Sequence, residues 1–98
     1  MNNQATTIHR EMTISHREFL RLLPRAVNGK QYRTKGNQIL IEEKSKSIEI
    51  TLARETCRKL ASLTLPVTHM AMKINGYSEA EIDQLLRHFD LAYQKGGG

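Results

Sequence analysis

A run of positive side chains between residues 17 and 35 is the feature of the sequence best suited to bind another molecule. The segment holds six cations against the single carboxylate of Glu18, which gives it a net charge of +5. Phosphate backbones favour such clusters because each contact releases condensed counterions. Tyr32 lies among the last cations of the run and offers an aromatic face on which an unpaired base can stack. The predicted site for nucleic acid or another polyanion consists of Arg17, Arg21, Arg25, Lys30, Tyr32, Arg33 and Lys35.

The same basic run has two other interpretations. Charges on the outer face of a helix keep a small protein in solution without binding anything. An acidic protein would be attracted by the same surface. The sequence contains no RRM aromatic signature, no GXXG loop and no zinc-finger spacing that would single out nucleic acid. Nucleic acid and an acidic protein therefore both remain candidate partners.

The side chains that bind metals or act as nucleophiles form no local motif. Metal ligands in local sequence are usually about two to five residues apart, and no two histidines of this chain are that close. The thiol has three basic residues near it in sequence, but a nucleophilic cysteine also needs a base positioned by the fold. We therefore predict no metal, no cofactor and no catalytic residue. The residues considered are His9, His16, Cys57, His69 and His88.

The carboxylates do not form an acid/base pair either. Glu42 and Glu43 are neighbours on a predicted strand, where adjacent side chains point to opposite faces. Glu79 and Glu81 belong to a predicted first helical turn, where negative charge suits the helix dipole. The sequence has no P-loop, no Gly-rich nucleotide fingerprint and no nucleophile elbow. These features predict a non-enzymatic binding or accessory module.

Three glycines end the sequence. A terminal Gly97-Gly98 resembles the C-terminal ends of sulfur carriers and ubiquitin-like proteins, whose last carboxylate enters a narrow active site of a partner. The resemblance covers only these last residues and implies a carrier tail formed by Gly97 and Gly98. In the alternative interpretation Gly96 ends the last helix and the other two glycines fray.

Length and composition indicate one domain. The chain has 98 residues, 39% of them hydrophobic, which suffices for one small aliphatic core. Its single cysteine excludes an internal disulfide and fits a reducing compartment. No stretch reaches the roughly 20 apolar residues of a membrane span, and the N-terminal residues lack the apolar segment of a signal peptide. We expect a cytoplasmic protein without a membrane partner.

Two capped helices are predicted to flank a β region. Ser15 with Glu18, and Ser78 with Glu81, have the spacing of capping boxes. Asn28-Gly29 is predicted to end the first helix, and Pro24 to shorten or kink it. Strands are predicted at residues 31–34, 38–43, 47–53 and 68–74, while residues 54–65 are ambiguous and could hold a helical turn followed by a strand.

These elements predict a small two-layer α+β domain. An antiparallel sheet of three to four strands would carry the N-terminal and the C-terminal helix on one face. We expect residues 1–12 to be disordered, residues 13–95 to form the domain and residues 96–98 to form a flexible glycine tail. An unpaired edge of such a sheet gives the alternative function, a protein-interaction module that binds a partner or forms a homo-oligomer.

Overall fold

A computed structural model describes residues 5–96 of the chain. It has two helices and six strands, and every strand pair is antiparallel. In chain order the elements are β1 (Thr6–Met12), α1 (His16–Ala26), β2 (Arg33–Lys35), β3 (Gln38–Glu43), β4 (Lys46–Leu52), β5 (Thr56–Leu60), β6 (Leu63–Asn75) and α2 (Glu79–Gly96).

Strand β6 organises the sheet. The strand order is β1-β6-β4-β3-β2, and β5 pairs with the first part of β6 outside this path. Directly paired residues share a face, so the register places Ile39, Ile50, Met72 and Ile8 in one row. The predicted α+β class with an antiparallel sheet is confirmed, but the sheet has six strands where three to four were predicted.

One hydrophobic core lies between the two helices and one face of the sheet. Phe19 of α1 and Phe89 of α2 are both buried there and contact each other. We refer to the opposite face, which carries Glu49 and Lys73, as the open face. The buried core residues are Ile14, Phe19, Leu22, Leu23, Ala26, Val27, Ile39, Ile41, Ile48, Ile50, Leu52, Met70, Met72, Ile74, Phe89, Ala92 and Tyr93.

Strands β4 and β5 form one interrupted strand along the same side of β6. Leu52 pairs with Met70 and Thr56 pairs with Val67, so three residues on one strand oppose two on the other. This count defines a β-bulge at residues 53–55, which bends the strand. Beyond the bulge, β5 and the start of β6 continue as a two-stranded ribbon, the arm (residues 56–67). The molecule is therefore elongated, with extents of 52 × 25 × 21 Å.

The helix ends follow the predicted capping chemistry in part. At α2 both bonds of the capping box form, because Ser78 N donates to Glu81 Oε1 and Glu81 N donates to Ser78 Oγ. At α1 only Glu18 N donates to Ser15 Oγ, since the Glu18 carboxylate accepts hydrogen bonds from Arg21 instead. Pro24 lies on the exposed side of α1, and the helix continues past it to Ala26.

The expectation of disorder over residues 1–12 is wrong for Thr6–Met12, which form β1 and pair with β6 along seven positions. Residues 1–4 lie outside the described range. Residues 54–65, which the sequence left ambiguous, contain no helical turn. They form part of the bulge and most of the arm. Gly96 ends α2 and does not belong to a separate tail, while Gly97 and Gly98 lie outside the described residues.

Substituting alanine at two glycines separates backbone strain from steric clash. Gly29 and Gly76 both have positive φ, +76° and +85°. A Cβ at Gly29 would meet no atom within 4 Å, whereas at Gly76 it would lie 2.7 Å from the backbone oxygen of Ser45. We expect Gly29→Ala to cost about 1 kcal/mol and Gly76→Ala about 2–4 kcal/mol in the free energy of unfolding. Urea denaturation measures both, and equal losses would contradict the clash.

Candidate functional site

The outer face of α1 carries the first three cations of the predicted basic site. Arg17, Arg21 and Arg25 recur every four residues, and all three are exposed while the opposite side of the helix is buried. Arg21 hydrogen-bonds to Glu18 and thereby lowers the pKa of that carboxyl group. Within residues 5–96, neither Arg17 nor Arg25 forms an ion pair. The helix therefore presents a positive stripe to solvent.

The remaining cations of the predicted site lie elsewhere. Arg33 and Lys35 pair with Leu40 and Gln38, a register that places both side chains on the open face at the edge of the sheet. Arg33 Nη2 is 2.9 Å from an oxygen of Glu42. The structure thus brings Arg33 and Lys35 together, but on the side of the molecule opposite the α1 stripe.

Lys30 and Tyr32 belong to neither surface. Lys30 Nζ is 3.3 Å from Glu43, and Tyr32 is half-buried against the core. Both residues come from the loop between α1 and β2, which crosses from the helix layer to the sheet edge. A contiguous stretch of sequence is therefore distributed over three parts of the fold.

The start of α1 is attached to the bulge at the base of the arm. The backbone N–H of His16 donates to Glu55 Oε1 at 2.8 Å, and His16 Nε2 is 2.7 Å from the carbonyl oxygen of Ala53. These two bonds bring the start of α1, where Arg17 follows His16, to the bulge that contains the exposed Arg54. The α1 stripe therefore continues towards the arm.

The bulge and the arm add cations that sequence reasoning missed. Arg54 and Lys59 are exposed and form no ion pair among residues 5–96, whereas Arg58 hydrogen-bonds to Glu11 and lowers the pKa of that carboxyl group. The sequence signal was the group of basic residues around Cys57, for which only an effect on the thiol was considered. About 40 residues separate Cys57 from Arg17, so only the fold shows that the bulge lies at the start of α1.

A groove of about 590 Å³ lies between the end of α1 and α2, with Ile41, Ile48 and Met72 in its floor. The charged side chains at its rim form ion pairs with one another. Lys30 contacts Glu43, which also accepts a hydrogen bond from Tyr77 at 3.1 Å, and Lys46 Nζ is 2.8 Å from Glu81. Burial, reinforced by Glu43, raises the pKa of Tyr77 to about 12. These side chains are therefore hydrogen-bond and ion-pair partners of one another, and their contacts connect α2 to the sheet.

Acid should weaken this tie at Glu43. The hydrogen bond from Lys30 lowers the pKa of Glu43 below its ordinary value of 4.5. A carboxyl group whose pKa is lower in the folded state stabilises the fold above its unfolded pKa and loses that contribution as pH falls through the folded pKa. We expect Glu43→Gln to flatten the decline in stability between about pH 5 and pH 3.

Urea denaturation at several pH values measures this effect. Glu79→Gln is the matched control, because Glu79 is exposed and forms no ion pair within the described range 5–96. An acid-induced decline in Glu43→Gln as steep as in the unmodified protein would refute the assignment.

The histidines and the cysteine lie apart. His69 is on the open face with Nε2 3.6 Å from Glu11, His88 Nε2 is 2.9 Å from the carbonyl oxygen of Arg25, and Cys57 is exposed on the arm. Within the part of the chain that the structure describes, no three His, Cys, Asp or Glu side chains are grouped as metal ligands. The structure therefore does not bring His69, His88 and Cys57 together.

Neither α1 nor α2 has the length and apolar character that a membrane-spanning helix requires.

Comparisons with known proteins add no further constraint. No protein-family model matches the chain, and a comparison with curated proteins finds no match. The function has to be inferred from the site itself.

Proposed function

We propose that this protein is a non-enzymatic binding module that contacts nucleic acid through the exposed arginines of α1. The observation that supports the proposal is the position of Arg17, Arg21 and Arg25 on one solvent-facing stripe, with Glu18 as the neighbouring carboxylate. The three side chains are anchored by a helix whose other side is buried in the core. The backbone positions of the three arginines are therefore fixed before any ligand binds.

The dimensions of the stripe suit a phosphate backbone. Arg17 and Arg25 are eight residues apart, which corresponds to about 12 Å along a helix. A duplex carries one negative charge per about 1.7 Å of its axis, so the stripe spans several phosphates. Contacts of this kind position a protein on nucleic acid but read no sequence. We therefore expect weak sequence preference and a steep dependence on salt.

An amide NMR titration with short mixed-sequence DNA and RNA, at low and physiological salt, tests the proposal. Shifts that cluster on α1 and weaken steeply with salt would support it. An absence of shifts at low salt would refute it. Shifts on α1 with an acidic peptide, but not with either nucleic acid, would instead assign the arginines to an acidic protein partner.

A second candidate function is self-association through β1. This strand ends the strand order, so one of its edges is unpaired within residues 5–96. An exposed edge strand is a template for another chain. Analytical ultracentrifugation tests the proposal, because a monomer at high concentration would exclude self-association.

A further inference from the structure

The arm presents apolar side chains where solvent reaches them. Leu60 and Leu63 pair next to the turn at its tip and are 54% and 59% exposed. Every residue of β5 is exposed. A two-stranded ribbon by itself is at best marginally stable in water, and the first half of β6 has no other strand beside it in the described range. A ligand that contacts the tip would shield the side chains of these two leucines from water.

The edges of the arm are poorly suited to pairing with another strand. A two-residue turn makes Leu60 and Leu63 a hydrogen-bonded pair, and the alternation along the ribbon makes Cys57 and Pro66 a non-hydrogen-bonded pair. The ring nitrogen of Pro66 therefore faces the free edge of β6, where it supplies no donor. Cations on β5 oppose strand addition at the other edge. The arm must bind through its side chains.

The exposed cations along the arm indicate the chemistry of the ligand. Arg54 in the bulge and Lys59, one pair from the tip, form no ion pairs in residues 5–96, and the bonds of His16 bring the start of α1 to the bulge. Along the surface from α1 to the apolar tip, Arg17, Arg54 and Lys59 outnumber the one carboxylate at the junction, Glu55. A polyanion that carries apolar groups between its negative charges complements this arrangement of cations and leucines.

We propose that the arm enters the major groove of duplex DNA while Arg17 and Arg54 bind the flanking phosphates and Lys59, near the tip, binds phosphate along the groove wall. The major groove of B-form DNA admits a two-stranded β-ribbon, and apolar side chains there contact the methyl groups of thymine. Five residue pairs give the arm a length of about 17 Å, against a groove depth of about 8.5 Å. This inference rests on the proposed function and adds the class of nucleic acid.

Duplex RNA is the discriminating ligand. Its major groove is deep and too narrow for side chains to read. Phosphate contacts by α1 are available on both duplexes, whereas insertion of the arm is available only on DNA. We therefore expect the protein to bind duplex DNA about tenfold more tightly than duplex RNA of the same sequence at the same salt concentration.

Fluorescence anisotropy with a labelled mixed-sequence DNA duplex and its RNA counterpart tests the arm. The variant Arg54→Glu/Lys59→Glu should lower the affinity for DNA about tenfold or more and reduce the salt slope by about 2. The variant Leu60→Ser/Leu63→Ser should abolish the preference for DNA over RNA. Lys73→Glu/Arg87→Glu is the control, with the same change of charge on the open face and on α2, and should bind like the unmodified protein.

The outcomes separate the two proposals. All four substituted residues are exposed, so circular dichroism should show an unchanged fold. If charge reversal on α1 weakens binding but both arm variants bind like the unmodified protein, the arm proposal fails and the proposed function stands. Equal affinity of the unmodified protein for the two duplexes also overturns the arm proposal. No binding to either duplex at low salt overturns both.

Discussion

Reversing Arg21 and Arg25 to glutamate is expected to lower the affinity for nucleic acid by about a hundredfold or more at physiological salt. Each hydrogen bond to a charged group contributes about 1.5–3 kcal/mol, and two such contacts are lost. The two new carboxylates also repel phosphate, and the counterions that the arginines released stay condensed on the nucleic acid. The slope of log K against log salt should become shallower by about 2.

This loss would not reflect unfolding, because both side chains are exposed on α1 and neither contributes to the core. Arg25→Glu places a negative charge in the last turn, where the helix dipole disfavours it, but the effect is small at an exposed site. The control is again Lys73→Glu/Arg87→Glu. Salt-dependent anisotropy measures the effect, and unchanged binding by Arg21→Glu/Arg25→Glu would exclude this surface.

The elements with local signals were predicted well. Strand β3 begins at Gln38 and ends at Glu43, as predicted, because a short apolar run of β-branched and aliphatic residues lies between two turns. The start of α2 follows from the Ser78–Glu81 capping box and an apolar stripe that reaches Tyr93. In both cases the stabilising contacts lie within a few residues, so the pattern alone indicates them.

The missed strands depend on contacts that are distant in sequence. Strand β1 has Arg10 on its helix side, where apolar residues were expected, and this arginine is accommodated by Asp90 of α2 at 2.9 Å. Asp90 raises the pKa of Arg10 by accepting its hydrogen bonds, and its carboxylate offsets the charge of the arginine at the edge of the core. No local pattern could show that pairing. The arm was ambiguous because a ribbon exposed on both faces needs no alternation of apolar and polar residues.

The candidate site was predicted in composition but not in arrangement. Nearness in sequence suggested that Arg17 and Lys35 share a surface, whereas β2 places Lys35 on the open face and α1 places Arg17 beside the arm. The fold instead brings the bulge that contains Arg54 to the start of α1, and no sequence pattern joins these two segments. Only the bonds between His16 and the bulge establish this connection.

The largest effect on stability is expected for Phe19→Ala. Phe19 is fully buried. Its ring stacks on that of Tyr93 with the ring centroids 4.9 Å apart, and it packs against the ring of Phe89 with the centroids 6.2 Å apart. Truncating a buried phenylalanine typically costs about 3–5 kcal/mol, because the lost burial is joined by the energy of the cavity. A small domain has a total stability of only about 5–15 kcal/mol. We therefore expect Tm to fall by about 12 °C or more.

Leu20→Ala is the matched control for this prediction. Leu20 is the next residue of the same helix but is 42% exposed, so the substitution removes three side-chain carbons without opening a comparable cavity. The hydroxyl of Tyr93 donates to the carbonyl oxygen of Phe19 at 2.8 Å, a bond that Phe19→Ala retains. A large loss in Phe19→Ala therefore measures the buried ring, through its burial, the cavity that it fills and its aromatic contacts, and not the hydrogen bond of Tyr93. Thermal and urea denaturation of both variants give the comparison, and similar losses would show that the aromatic cluster does not hold α1 and α2 together.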